Sequence, residues 1–186
     1  MALTLLLGGV RAGKSARALS LAAERAQGEP VLFVATAQPF DDEMRRRIDA
    51  HRRERPPHWV TLESPVDVAD DLEFHLADRA VTYGAVVLDC LTVWVSNLLL
   101  ALGDEDDAEA FVAERSRRLL RALADRDAFV VSNEVGLGVV PPTPLGRRYR
   151  DALGRANQIF AASAADVRLL VAGIELPLKA PPRTRA

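Results

Sequence analysis

The chain has 186 residues, 49% of them hydrophobic, with 24 basic against 26 acidic side chains and a single cysteine. That length favours one compact domain with a sizeable core, and a formal net charge of -2 excludes the broad basic footprint of a generic nucleic-acid binder. The lone thiol, Cys90, excludes an intramolecular disulfide and suits a reducing cytoplasm.

In chain order, residues 1–7 are apolar but short and carry no basic leader, so no secretory signal is expected. Residues 3–7 open a series of five apolar runs, continued at 31–35, 85–88, 128–131 and 167–172. They are rich in Val and Leu with little polar alternation, as strands buried on both faces of a parallel sheet are. Residues 59–62 alternate better and read as an extra edge strand. Helical stretches fill the gaps, at 14–26, 41–53, 66–77, 91–102, 104–125 and 144–165. The 41–53 stretch carries acids at its start and arginines at its end, as the helix dipole prefers. The 91–102 stretch is apolar nearly all round. It is too short to span a bilayer and contains Asn97, so a buried helix or a subunit contact is expected. Strands alternating with helices imply an α/β domain with right-handed crossovers. One domain is expected over 1–179, with a frayed tail at 180–186 holding Pro181, Pro182 and Arg183.

Gly8-Gly9-Val10-Arg11-Ala12-Gly13-Lys14-Ser15 matches the phosphate-binding loop pattern in full, between an expected strand and an expected helix. The glycines let backbone N–H groups turn inward around phosphate oxygens, and the following helix adds its positive end. Lys14 is expected on the β- and γ-phosphates and Ser15 on Mg²⁺. Asp89 ends the run Ala85-Val86-Val87-Leu88-Asp89, where a second acid holds Mg²⁺ in nucleotide-binding proteins. An N-cap for the next helix would use the same residue. Ser132-Asn133-Glu134-Val135-Gly136 ends the fourth run. Glu134 there either orients a substrate hydroxyl or a metal-bound water, or is a solvated turn residue.

His51 lies in Arg45-Arg46-Arg47-Ile48-Asp49-Ala50-His51-Arg52-Arg53-Glu54-Arg55. On a helix Arg47 and Arg55 share its face, at four residues before and after. An imidazole among arginines suits a nucleophile beside a triphosphate. By spacing alone, an ordinary exposed histidine in a solvated charge run accounts for it better. Cys90 follows Asp89 in an apolar run and reads as a small buried hydrophobe.

Taken together, these residues resemble the bifunctional adenosylcobinamide kinase/adenosylcobinamide-phosphate guanylyltransferases of cobalamin biosynthesis. The likeness runs from Leu5 to about Ile174. It is carried by the phosphate loop through Ala16, by Val34-Ala35-Thr36-Ala37, by Asp41-Asp42-Glu43-Met44 and by His51-Arg52-Arg53-Glu54-Arg55-Pro56 with Trp59, Thr61 and Glu63. Asp89-Cys90-Leu91-Thr92, Trp94, Asn97-Leu98, residues 133–141, Tyr149-Arg150-Asp151, Gly154-Arg155 and Asn157-Gln158 complete it. The histidine block and the Asn133-Glu134-Val135-Gly136 segment are its specific parts.

The resemblance implies a RecA-like P-loop NTPase fold, with a mostly parallel central sheet flanked by helices and the fourth of the five strands between the first and third. It implies phosphorylation of adenosylcobinamide by ATP or GTP, then transfer of GMP from GTP through a guanylylated histidine at His51. The products are adenosyl-GDP-cobinamide and pyrophosphate. Lys14 is the second catalytic residue. Nucleotide contacts are expected from Gly8 to Ser15 and from Ala35, Thr36, Ala37, Arg52, Arg55, Glu63 and Asp89, with Ser15 and Asp89 on Mg²⁺. A cytoplasmic homotrimer without a membrane span or nucleic-acid partner completes the expectation. Asp89 stands where some relatives have Glu, and either serves Mg²⁺. Another P-loop small-molecule kinase or a RecA-like ATPase is the alternative.

Overall fold

The computed structural model describes residues 2–77, 81–103 and 107–180. Its elements run β1 (Leu3–Gly8), α1 (Lys14–Ala26), β2 (Val31–Ala35), α2 (Asp42–Arg53), β3 (Val60–Glu63), α3 (Val68–Ala77), β4 (Ala85–Asp89), α4 (Leu91–Leu102), α5 (Ala108–Ala122), β5 (Ala128–Val131), α6 (Pro144–Ser163), β6 (Asp166–Val171) and β7 (Ile174–Lys179). The expected start of the fifth helix at 104–106 and most of the expected tail, 181–186, lie outside the described residues.

The strands form one seven-stranded sheet in the order β3-β2-β4-β5-β1-β6-β7. Every pairing is parallel up to β6, while β6 and β7 pair antiparallel. The fourth expected strand, β5, lies between the first, β1, and the third, β4, as a RecA-like order requires. The four central strands are almost wholly buried, which is why their sequences lack alternation. β3 alternates between half-buried and exposed positions and forms one edge.

Helices cover both faces. Ala18, Ala22 and Ala26 repeat every four residues along α1, and this small-residue stripe packs with Phe33, Val87 and Phe129 on one face. Helices α3 to α6 supply Leu72, Trp94, Leu98, Val112, Leu119, Leu153 and Phe160 to the larger core on the other. The 91–102 stretch is the buried helix α4 of that core.

Sequence reasoning missed β7. Pro177 sits in its middle, which is tolerated because β7 is an edge strand that need not donate on its outer side. Ala172 and Gly173, between β6 and β7, both have positive φ (52° and 81°), as a tight type I′ hairpin demands. The signal in the sequence was the alternation Ile174-Glu175-Leu176 after an Ala-Gly turn.

Because β1 to β6 run parallel, the residues after Gly8, Ala35, Glu63, Asp89 and Val131 all emerge at one end of the sheet. Ligands bind at such carboxyl ends in open α/β sheets.

Candidate active site at the carboxyl ends of the strands

The phosphate loop leaves β1 at Gly8. A Cβ there would run into the backbone carbonyl of Leu170 on β6, so only glycine lets the chain turn out of the sheet at this point. The loop closes through Ala12 N donating to Gly9 O at 3.3 Å. Gly13 caps α1 with no side-chain bond to the first turn, which leaves those N–H groups for an anion. Lys14 is buried at the start of α1, and its Nζ donates to Gly9 O at 2.6 Å. Burial lowers the Lys14 pKa, while the charge of nearby Asp89 works the other way. The β6–β7 turn also touches the loop, with Gly173 N donating to Ala12 O at 3.2 Å. An Arg17–Glu175 ion pair ties β7 to α1, and Arg168 of β6 bridges Asp166 and Glu175.

Asp89 ends β4 beside the loop, and Ser15 hydrogen-bonds its carboxylate. Burial raises the Asp89 pKa above the usual carboxylate range. The Ser15 bond and the charges of His51, Lys14 and Arg55 oppose that rise. These five side chains therefore share one site. The Ser15 and Asp89 oxygens fit Mg²⁺, a hard cation that takes one or two protein oxygens and completes its shell with water and phosphates. Among the described residues no cluster of three His, Cys, Asp or Glu offers a dedicated metal cage.

Thr36 is fully buried, and its hydroxyl is used inside the protein. It donates to Cys90 O and accepts from Cys90 N, both at 2.9 Å. Asn97 Nδ2 donates to Thr36 O and Pro65 O, also at 2.9 Å. The side chains of Thr36 and Asn97 thus lock the ends of β2 and β4 to α4 and fix where Asp89 stands. Within the 35–37 segment the Thr36 N–H and the Ala35 and Thr36 carbonyls are also bonded inside the protein, while the side chains of Ala35 and Ala37 are only half-buried. Cys90, packed behind Asp89, has its thiol pushed up to about 12, first by burial and then by the Asp89 charge. The folded protein is therefore expected to resist iodoacetamide at neutral pH and to react once unfolded, as mass spectrometry would record.

Helix α2 begins with the Asp41 carboxylate accepting from Met44 N at 2.7 Å and ends with His51 in its last turn. The His51 side chain is 52% exposed, and its Nδ1 lies 3.4 Å from the Glu54 carboxylate. Arg55 holds this end of α2 to the sheet. Its Nε donates to His51 O at 3.0 Å, its Nη1 donates to Thr61 Oγ1 at 2.8 Å, and its guanidinium stacks 4.2 Å from the centre of the Phe33 ring. Burial, then the charge of Arg52, lowers the Arg55 pKa. Arg52 pairs with Glu63 at the end of β3. Both arginines expected on a triphosphate, and Glu63 with them, thus make contacts within the protein. The Arg47 side chain lies outside the described residues.

Glu134 follows β5. Its N–H donates to Gly8 O at 3.3 Å, and its Oε1 accepts from Gly136 N at 3.1 Å. Asn157 of α6 fastens this segment, taking a 2.6 Å bond from Ser132 Oγ and giving a 3.0 Å bond to Asn133 O.

Comparison with known proteins meets this geometry. A family model described as cobinamide kinase / cobinamide phosphate guanyltransferase matches residues 4–178. The chain belongs to this family. The bifunctional adenosylcobalamin biosynthesis protein CobP of Pseudomonas aeruginosa is 44% identical over 180 residues, which cover 96% of this chain and 98% of that protein. CobU of Salmonella typhimurium, which carries the same bifunctional description, is 40% identical over 94% of this chain and 98% of its own. CobU of Escherichia coli, described likewise, is 36% identical over the same shares. Among solved structures, the flagellar accessory protein FlaH of Methanocaldococcus jannaschii superposes with a TM-score of 0.56 over 97% of this chain and 79% of its own. At 13% identity that likeness speaks to the fold alone. The family is one of bifunctional kinases and guanylyltransferases.

Proposed function

We propose that this chain phosphorylates the hydroxyl of the aminopropanol arm of adenosylcobinamide and then converts the product to adenosyl-GDP-cobinamide with GTP. The observation that carries this reading is the convergence of Lys14, Ser15, Asp89, His51 and Arg55 in one site. That the charges of His51, Lys14 and Arg55 all act on the Asp89 carboxylate supports pairing phosphate-loop chemistry with a histidine nucleophile.

In the first reaction the polyphosphate of ATP or GTP lies on the phosphate loop and the first turn of α1. The substrate hydroxyl attacks the γ-phosphorus, the bond to the β-phosphate oxygen breaks, and the hydroxyl proton is released. Glu134 orients that hydroxyl. Its partner among the described residues is the Gly136 amide, and its own N–H rests on Gly8. Ser15 and Asp89 would hold Mg²⁺, which when bound neutralises charge on the phosphates. In the second reaction the His51 imidazole attacks the α-phosphorus of GTP and pyrophosphate leaves. An oxygen of the corrinoid phosphate then attacks the same phosphorus and frees His51. The Glu54 carboxylate beside Nδ1 favours the tautomer that keeps Nε2 open for attack. Incubation with GTP labelled at the α-phosphate should leave label on the protein without any corrinoid. A protein that turns over GTP and stays unlabelled would sink this route.

The homotrimer belongs to the same proposal. The exposed Ile174, Leu176 and Leu178 of β7 offer it an apolar surface. A cytoplasmic location is proposed from the nucleotide substrates and the single cysteine. Among the described residues no helix is long and apolar enough to cross a membrane.

A further inference from the structure

Helix α6 buries Ala152, Leu153, Ala156, Asn157 and Phe160 and turns a second stripe outward. Asp151, Gly154, Arg155 and Gln158 recur at helical spacing along that stripe. With Arg150, Gly136 and Glu109 they line a cavity of about 410 Å³. The cavity wall at Gly136 is the same residue whose N–H binds Glu134, and Glu134 in turn rests on Gly8. The phosphate loop and this cavity are thus joined by one short, hydrogen-bonded segment. Asn157 clamps that segment from the buried side of the same helix.

Two features call for an occupant. Gly154 stands inside a helix, where glycine is less stable than alanine, yet a Cβ there would meet nothing within 4 Å. Packing gives no reason for it, whereas a ligand lying against the helix backbone does. The polar lining is also mixed, with the Asp151 carboxylate paired to Arg150 at 2.9 Å. The bond Arg155 makes among the described residues is a long one, 3.3 Å to Gln158 Oε1 within the same helix. Arg155 and Gln158 offer donors, and Asp151, Glu109 and Gln158 offer acceptors. After Gly136 the chain carries the exposed apolar residues Leu137, Val139 and Val140.

A ligand fringed with primary amides needs both donors and acceptors, and a flat apolar ring needs an apolar wall. A corrinoid has both properties. We infer that this cavity seats the amide-bearing edge of the corrin ring, with the ring face toward Leu137 and Val139 and the aminopropanol arm directed past Gly136 to the phosphate loop. This rests on the reading that adenosylcobinamide is the substrate.

The test pairs two readouts in the full chain: KM for adenosylcobinamide in the kinase assay, and labelling of the protein by α-labelled GTP without corrinoid. Gly154→Ala should raise Tm, because alanine favours the helix, and yet raise KM for adenosylcobinamide. Gly154→Leu and Gln158→Leu should raise that KM by about tenfold or more. Labelling by GTP should stay at the parent level in all three. An unchanged KM in Gly154→Ala and Gln158→Leu overturns the assignment. Loss of GTP labelling in a folded variant overturns it too, since the cavity would then serve the nucleotide. A parent protein inert toward adenosylcobinamide removes the functional reading itself, so the parent control separates the two failures.

Discussion

Lys14→Ala is expected to lower kcat for phosphorylation of adenosylcobinamide by about 100- to 1000-fold, the usual cost of removing one preorganised charge from a transition state. The geometry explains the size. The Lys14 ammonium is buried at the start of α1, beside Asp89, and bonds the carbonyl of Gly9 inside the loop that would cradle the phosphates. An arriving polyphosphate offers it charged oxygens in place of that neutral carbonyl. The ammonium then follows the charge that builds on the transferred group, with little reorganisation of its surroundings. If His51 attacks GTP held on the same loop, Lys14→Ala should also slow labelling of the protein by GTP. Steady-state kinetics with ATP and with GTP, beside a melting curve that shows the fold intact, measure both effects. A folded Lys14→Ala protein with near-parent kinase rates would refute the phosphate-loop assignment.

The strands were legible because burial on both faces leaves its mark as unbroken runs such as Ala85-Val86-Val87-Leu88. The strand order came from the family resemblance, and the sheet order β3-β2-β4-β5-β1-β6-β7 agrees with it. β7 was not legible, because Pro177 argues against a strand unless the strand is already known to be at an edge. At the site, the phosphate loop could be read from local pattern, since its function lies in its own backbone. The locks of Thr36 and Asn97 could not, because they join residues 54 and 61 positions apart in the chain. Arg55 illustrates the limit best. Its spacing from His51 pointed to a shared helix face turned to a triphosphate. The fold lays its guanidinium on Phe33 and bonds it to Thr61 and to the backbone of His51 itself. Periodicity cannot tell which sheet residues a helix end will meet.

His51→Ala is expected to abolish the GMP adduct and with it formation of adenosyl-GDP-cobinamide, while phosphorylation of adenosylcobinamide survives. The split follows from where the groups sit. Lys14, Ser15, Asp89 and the phosphate loop are carried by β1, α1 and β4, whereas His51 is carried by α2. The His51 side chain is half exposed and holds nothing in the core, so its removal should leave the fold intact. The adduct should be labile in acid and stable in alkali, as a nitrogen–phosphorus bond is. Arg55 gives the companion test. If its work is to hold the His51 backbone against Phe33 and Thr61, then Arg55→Ala should slow adduct formation with little change in KM for GTP. Arg55→Lys should not rescue it, because an ammonium cannot stack and bond in a fork. If Arg55 instead binds the triphosphate, KM for GTP rises and kcat holds. Thr61→Val removes one of its anchors without touching charge, and should move the adduct rate in the same direction by a smaller factor. An adduct that still forms in His51→Ala would place the nucleophile elsewhere. Loss of both activities in a folded His51→Ala protein would make His51 part of the kinase step as well, contrary to the division of labour argued here.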